Sequence, residues 1–309
     1  MYRELRGHVS GVRRMAGDTT CDITDASPAR RARFHAGTTF LIALAALLIS
    51  GGSGAAEPAP VTPSEPPDAV RLHNLTDKAN DLNYSQGKPA QSLPYYEKAL
   101  QIDPHNFGAL SGRAYALISL GRCAEAISTF DRALAQCPEG DDKTKAQLYR
   151  ARGDAHARLK QWQEAVEDYS ASLKQKLDKS TFYDRGAAYD QLGDYEKALH
   201  DLDTVLMVFK PTALDYFAYL ERGRIHKRLG HFDQAIADFG QAITLDPGNA
   251  EAYRSRGITR KDMNDRQGAL ADLQKALELA ERHKDTRMSG ELREDLRALA
   301  KKANIKRSD

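Results

Sequence analysis

Apolar and polar positions alternate along most of this chain with the period of amphipathic α-helices. The helical stretches come in pairs. Asp103-Pro104 and Asp246-Pro247 separate one pair from the next, because a residue that precedes proline disfavours helix. Within the pairs, a Leu-Gly or Met-Asn dipeptide marks a turn, since Gly or Asn suits the left-handed conformation that ends a helix. These dipeptides fall at 120–121, 192–193, 229–230 and 263–264. The pattern predicts an all-α chain of stacked helix pairs.

One further amphipathic helix is predicted after the last pair, over residues 286–305. Its apolar stripe consists of Met288, Leu292, Leu296, Leu299 and Ala303. A stack of repeats needs a polar-backed helix over its last open face, and we expect this helix to be that cap.

The helix pairs repeat at a fixed spacing. Residues 253–257 (Tyr-Arg-Ser-Arg-Gly) follow residues 219–223 (Tyr-Leu-Glu-Arg-Gly) by 34 positions, and Ala269 follows Ala235 by the same number. A second similar segment recurs at 124–130, 164–169, 197–202 and 234–239. A period of this size indicates a repeat architecture.

The repeat resembles the tetratricopeptide repeat (TPR) family, whose unit carries an aromatic, then Gly, Tyr, Ala, Phe and Pro. The aromatic is Tyr149, Phe182, Tyr219 and Tyr253, the small residue is Gly153, Gly186, Gly223 and Gly257, and the mid-repeat Ala is Ala126, Ala165, Ala198, Ala235 and Ala269. The first unit departs most, since Asn80 and Ser92 replace the small residue and the Ala. We expect it to be loose or to act as an atypical cap.

The resemblance implies a right-handed superhelical solenoid of six helix-turn-helix repeats over residues 73–283, followed by a capping helix and tail at 284–309. The repeats are expected at about 73–106, 107–140, 146–178, 179–212, 216–249 and 250–283. The spacing stretches at Glu139–Lys143, which is predicted to be an acidic loop, and again at Lys210–Asp215.

The N-terminal segment has the pattern of an export signal. Residues 40–49 are apolar, Arg30 and Arg31 lie upstream, and small residues follow from Ser50 to Ala56. The alternatives are a buried helix or a membrane anchor, although a span needs roughly 20 apolar residues. The pair Arg30-Arg31 leaves a twin-arginine signal as a further alternative.

We therefore expect a signal peptide with a polar extension at 1–56, cleaved after Ala56, and a Pro-rich linker at 57–72. No Cys lies at the junction, so a lipoprotein anchor is not expected. The predicted location is periplasmic or secreted, with no stable membrane insertion after cleavage.

Charge excludes one class of partner. The chain has 45 Lys and Arg against 43 Asp and Glu, and seven of those Arg with four of those acids lie in residues 1–56. The remainder is nearly neutral, which gives no indication of nucleic-acid binding.

The cysteines are predicted to be reduced. Cys21 lies in the segment expected to be removed, whereas Cys123 and Cys137 stand 14 residues apart along one predicted helix. That spacing is about 20 Å, too far for a disulfide.

Catalytic and metal-binding patterns are absent from the sequence. There is no His-Glu-x-x-His, no phosphate-binding Gly loop and no Gly-x-Ser-x-Gly, and the His and Cys lack zinc spacing. We therefore predict a protein that is not an enzyme and needs no cofactor.

One polar pair recurs with a separation of 16 residues. The pairs are Arg152 with Asp168, Arg185 with Asp201, Arg222 with Asp238, and Arg256 with Asp272. We expect structural ion pairs between the two helices of a unit, or with the next unit.

TPR proteins line their concave groove with the first helix of each unit, at its second, fifth, ninth, twelfth and thirteenth places. By that resemblance the partner-binding residues are Arg150, Arg158, Tyr183, Phe217, Leu220, Arg224, Lys227, Arg228, Arg254, Ile258 and Lys261. Acids share the groove at Asp154, Asp190, Glu251 and Asp262. Apolar residues among cations favour a groove for an acidic, partly apolar peptide. The alternative is that these side chains pack against the neighbouring helix.

The resemblance thus implies a protein-protein interaction scaffold or adaptor of the cell envelope that binds a peptide or partner domain. The alternative is a regulatory or targeting subunit of an envelope enzyme, such as a peptidoglycan hydrolase, protease or secretion complex. TPR proteins that grip chaperone tails use Lys and Asn at inner places where this chain has Asp77 and Asp81, so we do not expect that role here.

Overall fold

The computed structural model describes residues 67–305, and it assigns helix but no strand within that range. The predicted signal peptide lies outside the described residues, as does most of the predicted linker. The helices are α1 (Asp68–Asn80), α2 (Pro89–Ile102), α3 (Phe107–Ser119), α4 (Cys123–Ala135), α5 (Asp142–Arg158), α6 (Trp162–Gln175), α7 (Lys179–Leu192), α8 (Tyr195–Met207), α9 (Leu214–Arg228), α10 (Phe232–Leu245), α11 (Ala250–Asp262), α12 (Arg266–Arg282) and α13 (Thr286–Ile305). The predicted all-α class is confirmed.

The turns inside the helix pairs have the predicted conformation. Gly121, Gly193 and Gly230 have φ of 74°, 78° and 77°, and Asn264 has φ of 64°. The third pair places Lys160 there with φ of 60°, a conformation that lysine adopts at a cost. Because the chain reverses at the same place in each pair, successive pairs repeat the same layout.

Two connections differ from their predicted extents. Helix α5 begins at Asp142, so the acidic loop expected at Glu139–Lys143 ends earlier than predicted. The cause is a helix cap, since the Asp141 side chain accepts a hydrogen bond from the Thr144 backbone N–H at 3.1 Å. Helix α9 likewise begins at Leu214, inside the stretched segment Lys210–Asp215.

The chain divides into two units at Glu125 and Ala126, within α4. In the first unit, α1, α2 and α3 pack around the buried side chains of Tyr96 and Leu110. Helix α1 is followed directly by a π-helical turn over Asp81–Ser85. This turn continues the first helix of the pair and changes its register, which the helical period alone does not predict.

We call the odd-numbered helices of the second unit A helices and the even-numbered ones B helices. The A helices α7, α9 and α11 each pack against the B helix that follows and against the B helix that precedes. The recurring glycines allow that approach. A Cβ on Gly223 would lie 2.8 Å from the Phe239 ring, and one on Gly153 would lie 2.8 Å from the Tyr169 ring. Only glycine fits without moving those rings.

The final helix covers the end of the second unit. Helix α13 spans the predicted range, and its Leu292 and Leu299 are buried with Leu273 and Leu279 of α12. Met288, Leu292, Leu296 and Leu299 of the predicted apolar stripe therefore pack against the last repeat, as a cap requires.

Cys123 and Cys137 are both thiols rather than members of a disulfide. Helix α4 separates them, as predicted, and Cys123 is buried. Their reduced state is thus confirmed for the described residues.

Candidate protein-binding face

The four recurring Arg and Asp residues form ion pairs between the two helices of each unit. Arg185 donates from Nε and Nη2 to the two carboxylate oxygens of Asp201, both at 2.8 Å. The same two-bond contact joins Arg152 to Asp168, Arg222 to Asp238 and Arg256 to Asp272. The predicted structural ion pairs are thus confirmed, and their aspartates are buried, with Asp201 1% exposed.

Further contacts fix these arginines. Each guanidinium lies over the aromatic ring three residues earlier, at 5.5 Å for Arg185 and Phe182. Three of the arginines also reach the preceding B helix, for example Arg222, which donates to Asp203 at 2.6 Å. With their donors used in this way, these arginines hold the stack together and offer little to a partner.

Two histidines lie next to the aspartates of these ion pairs. The Nε2 atoms of His156 and His226 lie 3.8 Å and 4.0 Å from Asp168 and Asp238. Burial lowers the pKa of His226, which keeps its ring neutral at pH 7. These contacts give the two histidines a packing role beside the ion pairs.

A second set of ion pairs joins successive A helices and the cap. It defines a surface on α5, α7, α9, α11 and α13, which we call the A-helix face. The pairs are Arg150–Asp184, Arg228–Asp190, Arg224–Glu251, Lys227–Asp262, Arg254–Glu291 and Lys261–Asp295. Six of the predicted groove cations therefore form an ion pair with an acid on a neighbouring A helix or on the cap. The sequence-based reasoning missed Asp184, Glu291 and Asp295, although an acid opposite each cation in the next unit was a visible signal.

Between α5 and α7, two carboxylates share one arginine. Arg150 donates from Nε and Nη2 to Asp184 Oδ2 at 3.0 Å and 2.8 Å, and the Tyr169 hydroxyl donates to Asp154 Oδ1 at 2.9 Å. Burial raises the pKa of Asp154. Burial, together with the charge of Asp154, raises the pKa of Asp184 to about 7. This part of the face holds more negative charge than its arginine neutralises.

Around α9, acids lie beneath arginines. The Arg228 side chain is 46% exposed, whereas its partner Asp190 is 7% exposed. Arg224 bonds to Glu221 on its own helix and to Glu251 on α11, where the N–O distance is 3.0 Å. Burial raises the pKa of Glu221, and Arg224 opposes that rise. The acids thus hold the two guanidinium groups in place, and each arginine side chain is more exposed than the acids with which it pairs.

The predicted apolar groove residues lie deeper than the cations. Tyr183 and Leu220 are 3% and 5% exposed and belong to the hydrophobic core, and Phe217 and Ile258 are half-buried against it. These four side chains pack against neighbouring helices, which is the alternative that the sequence left open. Phe217 also stacks edge-on with Tyr216, with centroids 4.9 Å apart. Arg158 is exposed on the last turn of α5.

Family models of the tetratricopeptide repeat match this chain at residues 84–153, 180–208 and 216–249. Among named proteins, the chain is 34% identical over 108 residues to the DnaJ homolog subfamily C member 7 homolog of Schizosaccharomyces pombe, which is 34% of this chain and 21% of that protein. It is 25% identical over 208 residues to the Hsp70-Hsp90 organizing protein of Triticum aestivum, 65% of this chain and 34% of that protein. The matches span about a fifth to a third of the length of these relatives.

Solved structures show the same fold. PilF of Pseudomonas aeruginosa superposes with a TM-score of 0.55 at 16% identity, over 74% of this chain and 99% of that one. YrrB, described as a TPR protein with an unusual peptide-binding site, gives a TM-score of 0.51 at 22% identity, over 64% of this chain and 97% of that one. The 34-residue period, the helix pairs and the three family matches lead to one conclusion: this chain is a tetratricopeptide repeat protein.

Proposed function

We propose that the protein is an adaptor of the cell envelope that binds an acidic, partly apolar segment of another protein on the A-helix face. The observation that carries the proposal is the arrangement at α9, where Arg224 and Arg228 are held by less exposed acids. A guanidinium fixed before binding loses little side-chain entropy when it bonds to a carboxylate.

In three ion pairs of this region the cation is the more exposed charge, whereas Asp262 is more exposed than its partner Lys227. In the pairs Arg150–Asp184, Arg224–Glu251 and Arg228–Asp190, the arginine is in each case the more exposed member. An approaching acid meets the guanidinium before the buried carboxylate. The near-neutral sum of charges therefore does not prevent selectivity for acidic side chains.

The named relatives support binding of another protein. The matched region of the wheat protein belongs to an Hsp70-Hsp90 organizing protein, whose name describes the assembly of two other proteins. From these relatives we infer that the TPR helices bind another protein. We do not infer chaperone partners, because Asp77 and Asp81 stand at the places where chaperone-tail binders carry Lys and Asn.

Export to the envelope is the second part of the proposal. The support is the arginine-flanked apolar run at residues 40–49 with the small residues that follow it. In the described part of the chain, every helix is too short or too polar to cross a bilayer. N-terminal sequencing of the native protein from fractionated cells is the test. We expect a start near Glu57, and a native chain that still begins before residue 40 would contradict export.

The binding face is tested by neutralising the two arginines. Arg224→Gln with Arg228→Gln should weaken binding of the partner captured from the envelope by at least tenfold and reduce its salt dependence. Charge reversal is the poorer variant, because a Glu at either position would lie beside Glu221, Glu251 or Asp190 and disturb the fold.

The matched control is Lys174→Gln with Lys176→Gln, which removes the same charge from exposed sites at the end of α6. We expect the control to bind like the parent protein. Equal affinity of both double variants would place the partner elsewhere.

A further inference from the structure

The acid pair between α5 and α7 lies on the same face as the arginines proposed to bind the partner. Asp184 is bonded to Arg150 across the two helices, and Asp154 is bonded to the Tyr169 hydroxyl. Asp178 adds a third carboxylate, 4.0 Å from Arg150 Nη1. Three acids thus surround one shared guanidinium.

Other charged groups lie near this cluster, and each interacts with an acid or a base of its own surroundings. Arg158 of α5 acts on Asp154 from one turn along the helix. On the side of α8, Arg185 is committed to Asp201. On the side of α9, Glu221 and Arg224 pair with each other next to Tyr183.

Arg150 is the cation that bonds to Asp184, and Asp154 and Asp178 also act on it. Protonation of Asp184 therefore removes the carboxylate that accepts its two hydrogen bonds and makes the net charge of the cluster more positive by one.

We propose that Asp184 couples partner binding to pH, so that uptake of one proton by its carboxylate releases the charge of Arg150 for an acidic partner. This inference rests on the proposed function. The ionised carboxylate holds both donors of Arg150 on one oxygen, and the protonated acid no longer neutralises the guanidinium. The A-helix face then gains one positive charge, and an acidic segment binds more tightly.

The direction of the effect follows from the shift in pKa. Burial and the nearby Asp154 make the ionised form of Asp184 unfavourable, so protons bind to it at a pH where a surface aspartate stays charged. The affinity for an acidic partner should therefore rise as the pH falls through neutrality, and it should be lowest above pH 8.

The test uses the full mature chain and a fluorescein-labelled peptide of alternating Glu and Leu as the probe. Fluorescence anisotropy is measured from pH 8.5 to pH 5.5 at constant ionic strength. For the parent protein we expect affinity to increase about fivefold across this range, the size of one unit charge near a surface. Asp184→Asn should bind at every pH as tightly as the parent does at pH 5.5.

A second variant keeps the test independent of that one substitution. Asp154→Asn removes the neighbouring negative charge, so it should move the midpoint of the pH response to lower pH while keeping its amplitude. Both variants retain every histidine, which separates Asp184 from imidazole titration.

The outcomes are distinguishable. Binding of the probe with constant affinity across the range would overturn the proton coupling alone, and so would a pH response that survives in Asp184→Asn. Absence of binding at every pH would overturn the proposed function, and this inference with it.

Discussion

The two helices of a repeat are joined by a neutral hydrogen bond in the first repeat and by a buried ion pair in the third to sixth repeats. In the later repeats an arginine on the A helix bonds to an aspartate on the B helix, and glycine sits one residue after the arginine. In the first repeat, Ala79 and Tyr95 occupy the places of that pair, and Asn80 replaces the glycine. There the Tyr96 hydroxyl donates to the Asn80 side chain at 2.8 Å.

This difference shows what the two kinds of contact contribute. A buried two-bond ion pair that also reaches the preceding helix joins the two helices of a repeat and ties that repeat to the one before it. In the first repeat, the neutral hydrogen bond between Tyr96 and Asn80 joins α1 to α2, and a π-helical turn follows directly after α1. The regular repeats therefore depend on charge, whereas the first depends on one tyrosine.

The largest expected effect is the loss of one buried ion pair. Arg185→Met leaves the carboxylate of Asp201 buried without its guanidinium, which should lower the free energy of unfolding by about 3–5 kcal/mol. Circular dichroism during urea unfolding is the measurement. The double variant Arg185→Met with Asp201→Leu should regain most of the loss. A single variant within about 1 kcal/mol of the parent would show that the pair does not stabilise the fold.

The next effect concerns the close helix approach. Gly223→Ala forces the Phe239 ring to move, since the new Cβ would lie 2.8 Å from it, and we expect a loss of about 1–3 kcal/mol. Gly290→Ala is the matched control, because no atom lies within 4 Å of its added Cβ and alanine favours helix by about 0.5–1 kcal/mol. Urea unfolding of both variants should give opposite signs, and two stabilising changes would contradict the helix contact.

In the first repeat, Tyr96→Phe should cost about 1 kcal/mol, because it leaves the Asn80 side chain without its donor. The effect should be local, so amide hydrogen exchange should speed up in α1 and α2 but not in α7 to α12. Faster exchange throughout those later helices would show that the Tyr96 hydrogen bond also stabilises the later repeats, contrary to this account.

The smallest expected effect is a gain in stability from a new ion pair at Gly240. Three of the arginines reach the preceding B helix at Asp131, Ser170 and Asp203, whereas Gly240 holds the equivalent place before Arg256. A Cβ at Gly240 would lie 3.8 Å from Arg256 Nη1, so there is room for a partner.

Gly240→Asp should therefore be more stable than Gly240→Asn by about 0.5–1 kcal/mol, since both have similar helix propensity and only one is charged. Thermal unfolding at low and high salt is the measurement. An advantage for Asn, or one that salt does not reduce, would rule out the added ion pair.

The sequence predicted the parts of the fold that follow from a period. The recurring separation of 16 residues marked the pairs of Arg185 with Asp201 and Arg222 with Asp238, and the turn glycines marked the helix ends. It could not predict the π-helical turn at Asp81–Ser85, because that turn breaks the period.

The candidate site was predictable only in part. The family pattern identified Arg224, Arg228, Glu251 and Asp190 as groove residues. It did not predict that Arg224 pairs with Glu251 or that Arg228 pairs with Asp190, because each pair joins helices of two different repeats. The burial of Leu220 was not predicted either, because it shares a helix place with half-buried cations in other repeats and packs in the core instead. Side-chain burial depends on the neighbouring helix, which a single unit does not contain.

The central claim, that a partner protein binds on the A-helix face, is tested most directly by site-specific photocrosslinking in living cells. A photoreactive amino acid replaces Gln147, which lies one turn before Arg150 on α5, and in a second strain replaces Glu167, which is exposed on α6. The proposal predicts one discrete protein adduct from position 147 and none from position 167. An adduct from position 167 with none from position 147 would contradict it.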